Sequence, residues 1–151
     1  MMKNLSAKKS IELLSTNYIG RIAFMAKGNP DIIPITYHYD PEQHSIFSYS
    51  SEGGKIEAMR KNRTVAFQVD DITSLNNWRS VLIHGTFEEL SGIDAKHILH
   101  KFAEGVKINI RRKGVTAPRF LHEFSSKTNT QGIPIVYRIN IAEITGKQRI
   151  S

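Results

Sequence analysis

Apolar runs of strand length follow one another along this chain at intervals too short to hold a helix. Residues 18–26, 32–39 and 45–50 are three such runs. Between the first two stands Gly28-Asn29-Pro30-Asp31, and between the second and third Asp40-Pro41-Glu42-Gln43-His44. Gly, Asn, Asp and Pro together, flanked by apolar residues, mark a turn. Two strands joined by so short a turn pair as an antiparallel hairpin. A chain built this way folds as an antiparallel sheet, because parallel strands need a crossover of a dozen residues or more.

Helices are fewer. Ser6 is placed to cap a first helix to about Leu14, on apolar positions Ile11, Leu13 and Leu14. A short one covers residues 56–62. A third covers 92–103, with Ile93, Ile98, Leu99 and Phe102 near helical spacing. Residues 63–69, 78–90 and 133–144 complete a set of six strands. Residues 70–77 and 124–132 read as loops, and Gly85 marks a bend or bulge in the long strand. The expected fold is mostly β: one domain over residues 1–151, its antiparallel sheet curled into a barrel with short helices at the ends.

The hydrophobic share of 40% suits a packed core rather than a disordered chain. No apolar run reaches the roughly 20 residues of a membrane helix. The chain has no cysteine, so disulfides, thiolate catalysis and cysteine-held metals are excluded. A cytoplasmic location fits this composition. Lys plus Arg exceed Asp plus Glu by 21 to 14, a net +7 that suits an anionic partner. The cluster Lys107, Arg111, Arg112, Lys113 and Arg119 reads first as solvated surface. Nucleic acid ranks last, because interleaved aromatics and recognition motifs are lacking.

The segment Ser50-Ser51-Glu52-Gly53-Gly54-Lys55 stands where a strand passes into a helix. Helix starts present free N–H groups, glycine permits close approach, and lysine adds a charge. A phosphate-bearing ligand suits that set, although the Walker spacing is missing. Pro34 within a strand marks an edge, or a place where pairing stops and backbone faces a ligand. Trp78 reads first as a packing residue. His97 and His100 lack a third metal ligand, so no metal is expected.

Taken in order, these segments resemble the pyridoxamine 5'-phosphate oxidase-like superfamily of FMN-binding split barrels, nearest to its nitroimidazole-resistance-type branch. Residues 20–24, 34–37, 46–67, 78–85, 137–139 and 144–147 carry the resemblance. It implies a six-stranded antiparallel split β-barrel working as a homodimer, with FMN in grooves between the subunits. Pro34, Ile35, Thr36 and Tyr37 would lie along the flavin, continued by Ser48, Tyr49, Ser50 and Ser51. Gly54 and Lys55 would hold the phosphate. Trp78, Arg79 and Ser80 would approach from the same or the other subunit. An FMN-dependent oxidoreductase of unknown substrate is implied. The alternatives are a non-catalytic storage or sensing module and a deazaflavin or haem variant. Where the oxidases carry arginine the chain has Pro34, and glycine replaces the first residue of their arginine-lysine pair. This leaves Arg21 or Arg60 to assist Lys55. Tyr49 stands where the nitroimidazole-type branch often has histidine.

Overall fold

The computed structural model describes residues 1–114 and 134–150. Strand β1 (Met2–Asn4) precedes helix α1 (Ala7–Thr16), and β2 (Ile19–Ala26) and β3 (Asn29–Thr36) follow. Next come β4 (His38–Asp40), β5 (Ser45–Ser50), α2 (Gly54–Lys61), β6 (Thr64–Ser74) and β7 (Asn77–Leu90). Helix α3 (Gly92–Arg112) and strand β8 (Ile135–Arg149) complete the order. All described strand pairs are antiparallel, in the order β3-β2-β6-β7-β8-β5-β4, with β1 added on β8.

Two differences turn the expected six strands into eight. The terminal residues Met2–Asn4 pair with the end of β8, although their pattern is not apolar. The run 32–39 divides at Tyr37, whose ring enters the core while its hydroxyl donates to Leu14 O at 2.6 Å. The chain thereby leaves one edge of the sheet, β3, and rejoins at the other, β4. The sheet curls without closing, which is the split of a split barrel. Ser48 on β5 bridges the gap by donating its hydroxyl to Thr36 O at 2.8 Å.

Further boundaries move for local reasons. The first turn is Lys27-Gly28, both at positive φ (53° and 80°). This is the two-residue hairpin geometry whose twist matches the strands, so Asn29 and Pro30 belong to β3. Residues 70–77 are polar yet mostly paired: β6 and β7 run on as a hairpin to Ser74 and Asn77. Gly85 faces a register shift in β8, and a Cβ there would stand 2.4 Å from Asn140 O. Helix α3 is 21 residues rather than short, because Val106 and Ile110 extend its apolar stripe. Residues 124–132 lie outside the described residues.

The core has two parts. Inside the sheet, Ile22, Tyr37, Ile46, Phe67, Ile83 and Tyr137 pack with Leu14 of α1 and Ile56 and Met59 of α2. On the other side of β5 and β8, Phe47 and Val136 receive Ile98, Phe102, Val106 and Ile110 of α3. Burying one such aliphatic or aromatic side chain contributes about 1.5–3 kcal/mol. The basic cluster is dispersed by α3. Lys107 is buried with Glu104 at 3.5 Å, Lys113 donates to Asn17 Oδ1 at 2.7 Å, and Arg111 and Arg112 are exposed. Arg119 lies outside the described residues.

Candidate functional site

The candidate site is built where β5 runs into α2. Helix α2 starts at Gly54 with Gly53 as its N-cap, and no side chain caps it. By contrast, Ser6 Oγ accepts from Lys9 N at the start of α1. Among the described residues no side chain caps the first-turn amides of α2, and they carry the positive end of the helix dipole. Gly53 and Gly54 are exposed, and a Cβ built on either meets nothing within 4 Å. Among the described residues, packing does not require glycine here, and the space beside the amides is open.

Lys55 is the first-turn cation. It is half-buried, and burial lowers its pKa. It has no ion-pair partner among the described residues; its Nζ lies 5.9 Å from the ring centroid of Tyr137. Tyr137 faces Ser48 across the β5–β8 ladder and is fully buried. Burial raises its pKa to about 12, an effect that the nearby Ser48 hydroxyl moderates. Yet Ser48 directs its proton to Thr36 O, and among the described residues the Tyr137 hydroxyl forms no hydrogen bond of normal geometry. Thr36, Ser48, Tyr137 and Lys55 therefore form one connected group. Sequence reasoning missed Tyr137 as a member. Its only signal was a tyrosine at an apolar position of the last strand.

The two arginines available as helpers are committed elsewhere. Arg60 is held by Glu52 and by Glu89, the latter at 2.6 Å. Arg21 pairs with Asp70 at 3.3 Å on the outer face of the sheet. Lys55 is thus the cation left at this helix start.

The remaining sequence-derived residues fall on different faces. Ile35 and Tyr37 point into the core. Pro34 and Thr36 pair with Arg21 and Ile19 and share the outer face with them. Tyr49 faces α3, its ring edge-on to Phe102 at 5.2 Å, and burial lifts its pKa to about 12. Ser50 donates to Ser51 O at 2.9 Å. Ser80 accepts from Gln68 Nε2 at 2.9 Å, which also donates to Asp70 at 2.8 Å. Trp78 is half-buried beside Ile72, and Arg79 is exposed. The registers align Pro34, Arg21, Gln68 and Leu82 in one row, and Thr36 and Ser80 stand two residues along at its two ends. Thr36 and Ser80 are then three strand spacings apart, about 14 Å. Within one chain, β7 does not meet β3.

A groove of about 760 Å³ adjoins the helix start. It runs between the β2–β3 hairpin (residues 24–31) and α2 (residues 54–62). Gly54 and Lys55 stand in its wall, and Lys27, Asp31, Glu57 and Lys61 surround it.

Comparison with known proteins agrees with this architecture. A crystal structure of an FAD-binding protein from Mesorhizobium loti is 26% identical, with a TM-score of 0.76, covering 100% of this chain and 98% of that one. A candidate 5-nitroimidazole antibiotic resistance protein from Bacteroides thetaiotaomicron shares the fold at 17% identity and a TM-score of 0.67, covering 98% of this chain and 89% of the other. An uncharacterized protein of Rhizobium meliloti (strain 1021) is 25% identical over 129 residues, 85% of this chain and 83% of its own. The family model described as pyridoxamine 5'-phosphate oxidase matches residues 6–148, and the chain belongs to that family.

Proposed function

We propose that this protein binds a flavin nucleotide, with FMN as its minimal unit, and acts as an oxidoreductase on a small molecule. The observation that carries the reading is Lys55: a half-buried cation without a carboxylate partner among the described residues, at an uncapped helix start with open space beside it. A lysine in the first turn opposes the helix dipole. A bound phosphate removes that conflict, accepts the free amides and compensates the desolvation of the ammonium. The Mesorhizobium loti relative, named as FAD-binding, agrees with a flavin.

A bound flavin would supply the electron-transfer chemistry, while the protein supplies binding, orientation and electrostatics. Lys55 and the amides of Gly54 and Lys55 would hold the phosphate. Pro34 and Thr36, on an edge strand whose outer side is unpaired, would lie along the ring system with Ser48 bracing the backbone at Thr36.

The reading includes a cytoplasmic homodimer. The outer face of β3-β2-β6-β7 exposes Ile32 at 70%, Ile19 at 50%, Met25 at 38% and Leu82 at 37%. The registers place these four on one side of the sheet. Exposed apolar residues grouped on one face, around the Arg21–Asp70 pair, suit an interface. It would also let Trp78, Arg79 and Ser80 of one subunit approach the site of the other, bridging the 14 Å or so that separates Ser80 from Thr36 within a chain.

Titration of the purified protein with FMN and with riboflavin tests the phosphate anchor. Replacing Lys55 by Ala should weaken FMN by about 10- to 100-fold, the range for a charge-assisted hydrogen bond. Riboflavin should change by less than about twofold, since it lacks the phosphate. Equal losses for the two ligands would remove Lys55 from the phosphate site. Sedimentation of Leu82→Glu should give a monomer if the apolar face is the dimer contact; an unchanged dimer places the contact elsewhere.

A further inference from the structure

We propose that the ring of Tyr137 positions the phosphate anchor: it holds the Lys55 ammonium at the start of α2 and leaves its charge uncommitted. The inference rests on the flavin reading, since the anchor is the site that the ring serves. An exposed lysine is solvated by water and needs no partner. A lysine withdrawn from water needs one, because desolvating an unpaired charge is costly. Among the described residues three lysines are not exposed: Lys55, Lys101 and Lys107. Lys101 lies 3.5 Å from Asp40 and 3.3 Å from Glu42, and Lys107 lies 3.5 Å from Glu104. Lys55 is the one of the three without a carboxylate among the described residues. Its ammonium stands over the Tyr137 ring instead, 5.9 Å from the centroid.

A ring face attracts an ammonium through its quadrupole out to about 6 Å, and more strongly where water is excluded. It carries no formal charge, so it steadies the lysine without neutralising it. The contrast within the same helix is Arg60, which Glu52 and Glu89 occupy. The ring is itself fixed by packing. Tyr137 is fully buried, pairs with Ser48 on β5 and packs on Phe87 at 5.3 Å. Residues 51–53 turn the chain after β5 so that the first turn of α2 brings Lys55 over that ring. Lys113 also lies near a ring, 6.0 Å from that of Tyr18, but its ammonium is committed to Asn17 Oδ1 at 2.7 Å. At Lys55 no such bond is present among the described residues, and the ammonium protons are left for a ligand.

The test keeps the shape of residue 137 and varies its ring. Fluorine on a phenylalanine ring withdraws electron density from the face and weakens its attraction for a cation. Full-length protein carrying Tyr137→Phe, and then phenylalanines of increasing ring fluorination at the same position, is titrated with FMN and with riboflavin. FMN affinity should fall stepwise along the series, by about 3- to 10-fold in total. Riboflavin affinity should stay within about twofold. NMR titration of labelled lysine side chains follows Lys55 in the ligand-free proteins, its signal assigned from its absence in Lys55→Ala. The Lys55 pKa should fall in the same order, because the ring favours the charged form. A merely structural role for the ring would move neither readout. FMN affinity or a Lys55 titration indifferent to fluorination overturns the proposal and leaves the flavin reading standing. So do equal losses for the two ligands. Wild type that binds neither flavin overturns both readings together.

Discussion

Replacing Tyr137 by Phe tests the central polar feature of the site. The Tyr137 ring is fully buried and packs with Phe87 at a centroid distance of 5.3 Å, which phenylalanine would preserve. Its hydroxyl is buried without a hydrogen-bond partner among the described residues. An unsatisfied buried polar group costs about 1–3 kcal/mol in desolvation. Phenylalanine removes that cost and leaves a void smaller than a methyl group, worth at most about 1 kcal/mol in the other direction. The ligand-free variant should therefore gain up to about 2 kcal/mol. For a chain of this size each kcal/mol moves the melting temperature by about 2–4 °C, so a rise of about 4–8 °C marks the upper end. Urea unfolding followed by far-ultraviolet circular dichroism gives the free energy, and an unchanged m-value verifies that the two unfolded states are comparable. A variant less stable than wild type by 1 kcal/mol or more would refute the reasoning, because the hydroxyl would then have a partner whose loss is felt.

Three further perturbations probe other elements. Gly85→Ala places a methyl 2.4 Å from Asn140 O, a backbone atom that cannot turn aside, so β7 and β8 must separate locally; a loss of about 2–4 kcal/mol in urea unfolding is expected. Burial lowers the pKa of His38 on β4 from its ordinary 6.5, with Asp40 acting against the shift and Lys101 with it. The unfolded chain then binds this proton more readily, so stability is complete above about pH 6.5 and declines as pH falls toward the lower folded value; His38→Gln should flatten that decline in a series of melting curves. If Lys55 holds the phosphate as proposed, its depressed pKa would couple binding to a proton. FMN affinity should fall on the alkaline side at a lower pH than an ordinary lysine would give, while riboflavin affinity measured in parallel stays flat.

The strand-rich character was legible because the turn chemistry was unambiguous, and the hairpin partners followed from it. What could not be read was the division at Tyr37. Residues 32–39 look like one strand because their pattern carries no turn signal. The break is tertiary, set by the hydroxyl reaching Leu14 O and the ring packing edge-on against Phe67 at 4.8 Å. The pairing of residues 70–74 was equally hidden. Asp70, Asp71 and Ser74 are polar because both faces of the hairpin extension meet solvent, not because the backbone lacks partners. The second half of α3 carries Lys107 and Asn109, which obscure its apolar stripe. Asn109 is buried there because it donates to Ser15 O at 2.8 Å, tying the helix to the end of α1.

At the candidate site the local signal and the tertiary one separate in the same way. Two glycines and a lysine at a strand-to-helix junction were visible in the chain itself. Nothing in the sequence distinguished Lys55 from Arg60 as the free cation, since each stands in the same short helix with acidic neighbours. The fold decides it: β7 brings Glu89 to Arg60, and the loop before α2 brings Glu52 to the same guanidinium. An arginine so held is an unsuitable anion ligand, whereas Lys55 has an aromatic ring beside it and, among the described residues, no carboxylate. The pairing that occupies Arg60 therefore leaves Lys55 as the cation at this helix start that has no carboxylate partner among the described residues. Releasing Arg60 through a Glu52→Gln/Glu89→Gln double change should supply a second cation and tighten FMN binding by several-fold without altering riboflavin. An unchanged FMN affinity would show that Arg60 lies beyond the reach of the phosphate even when free.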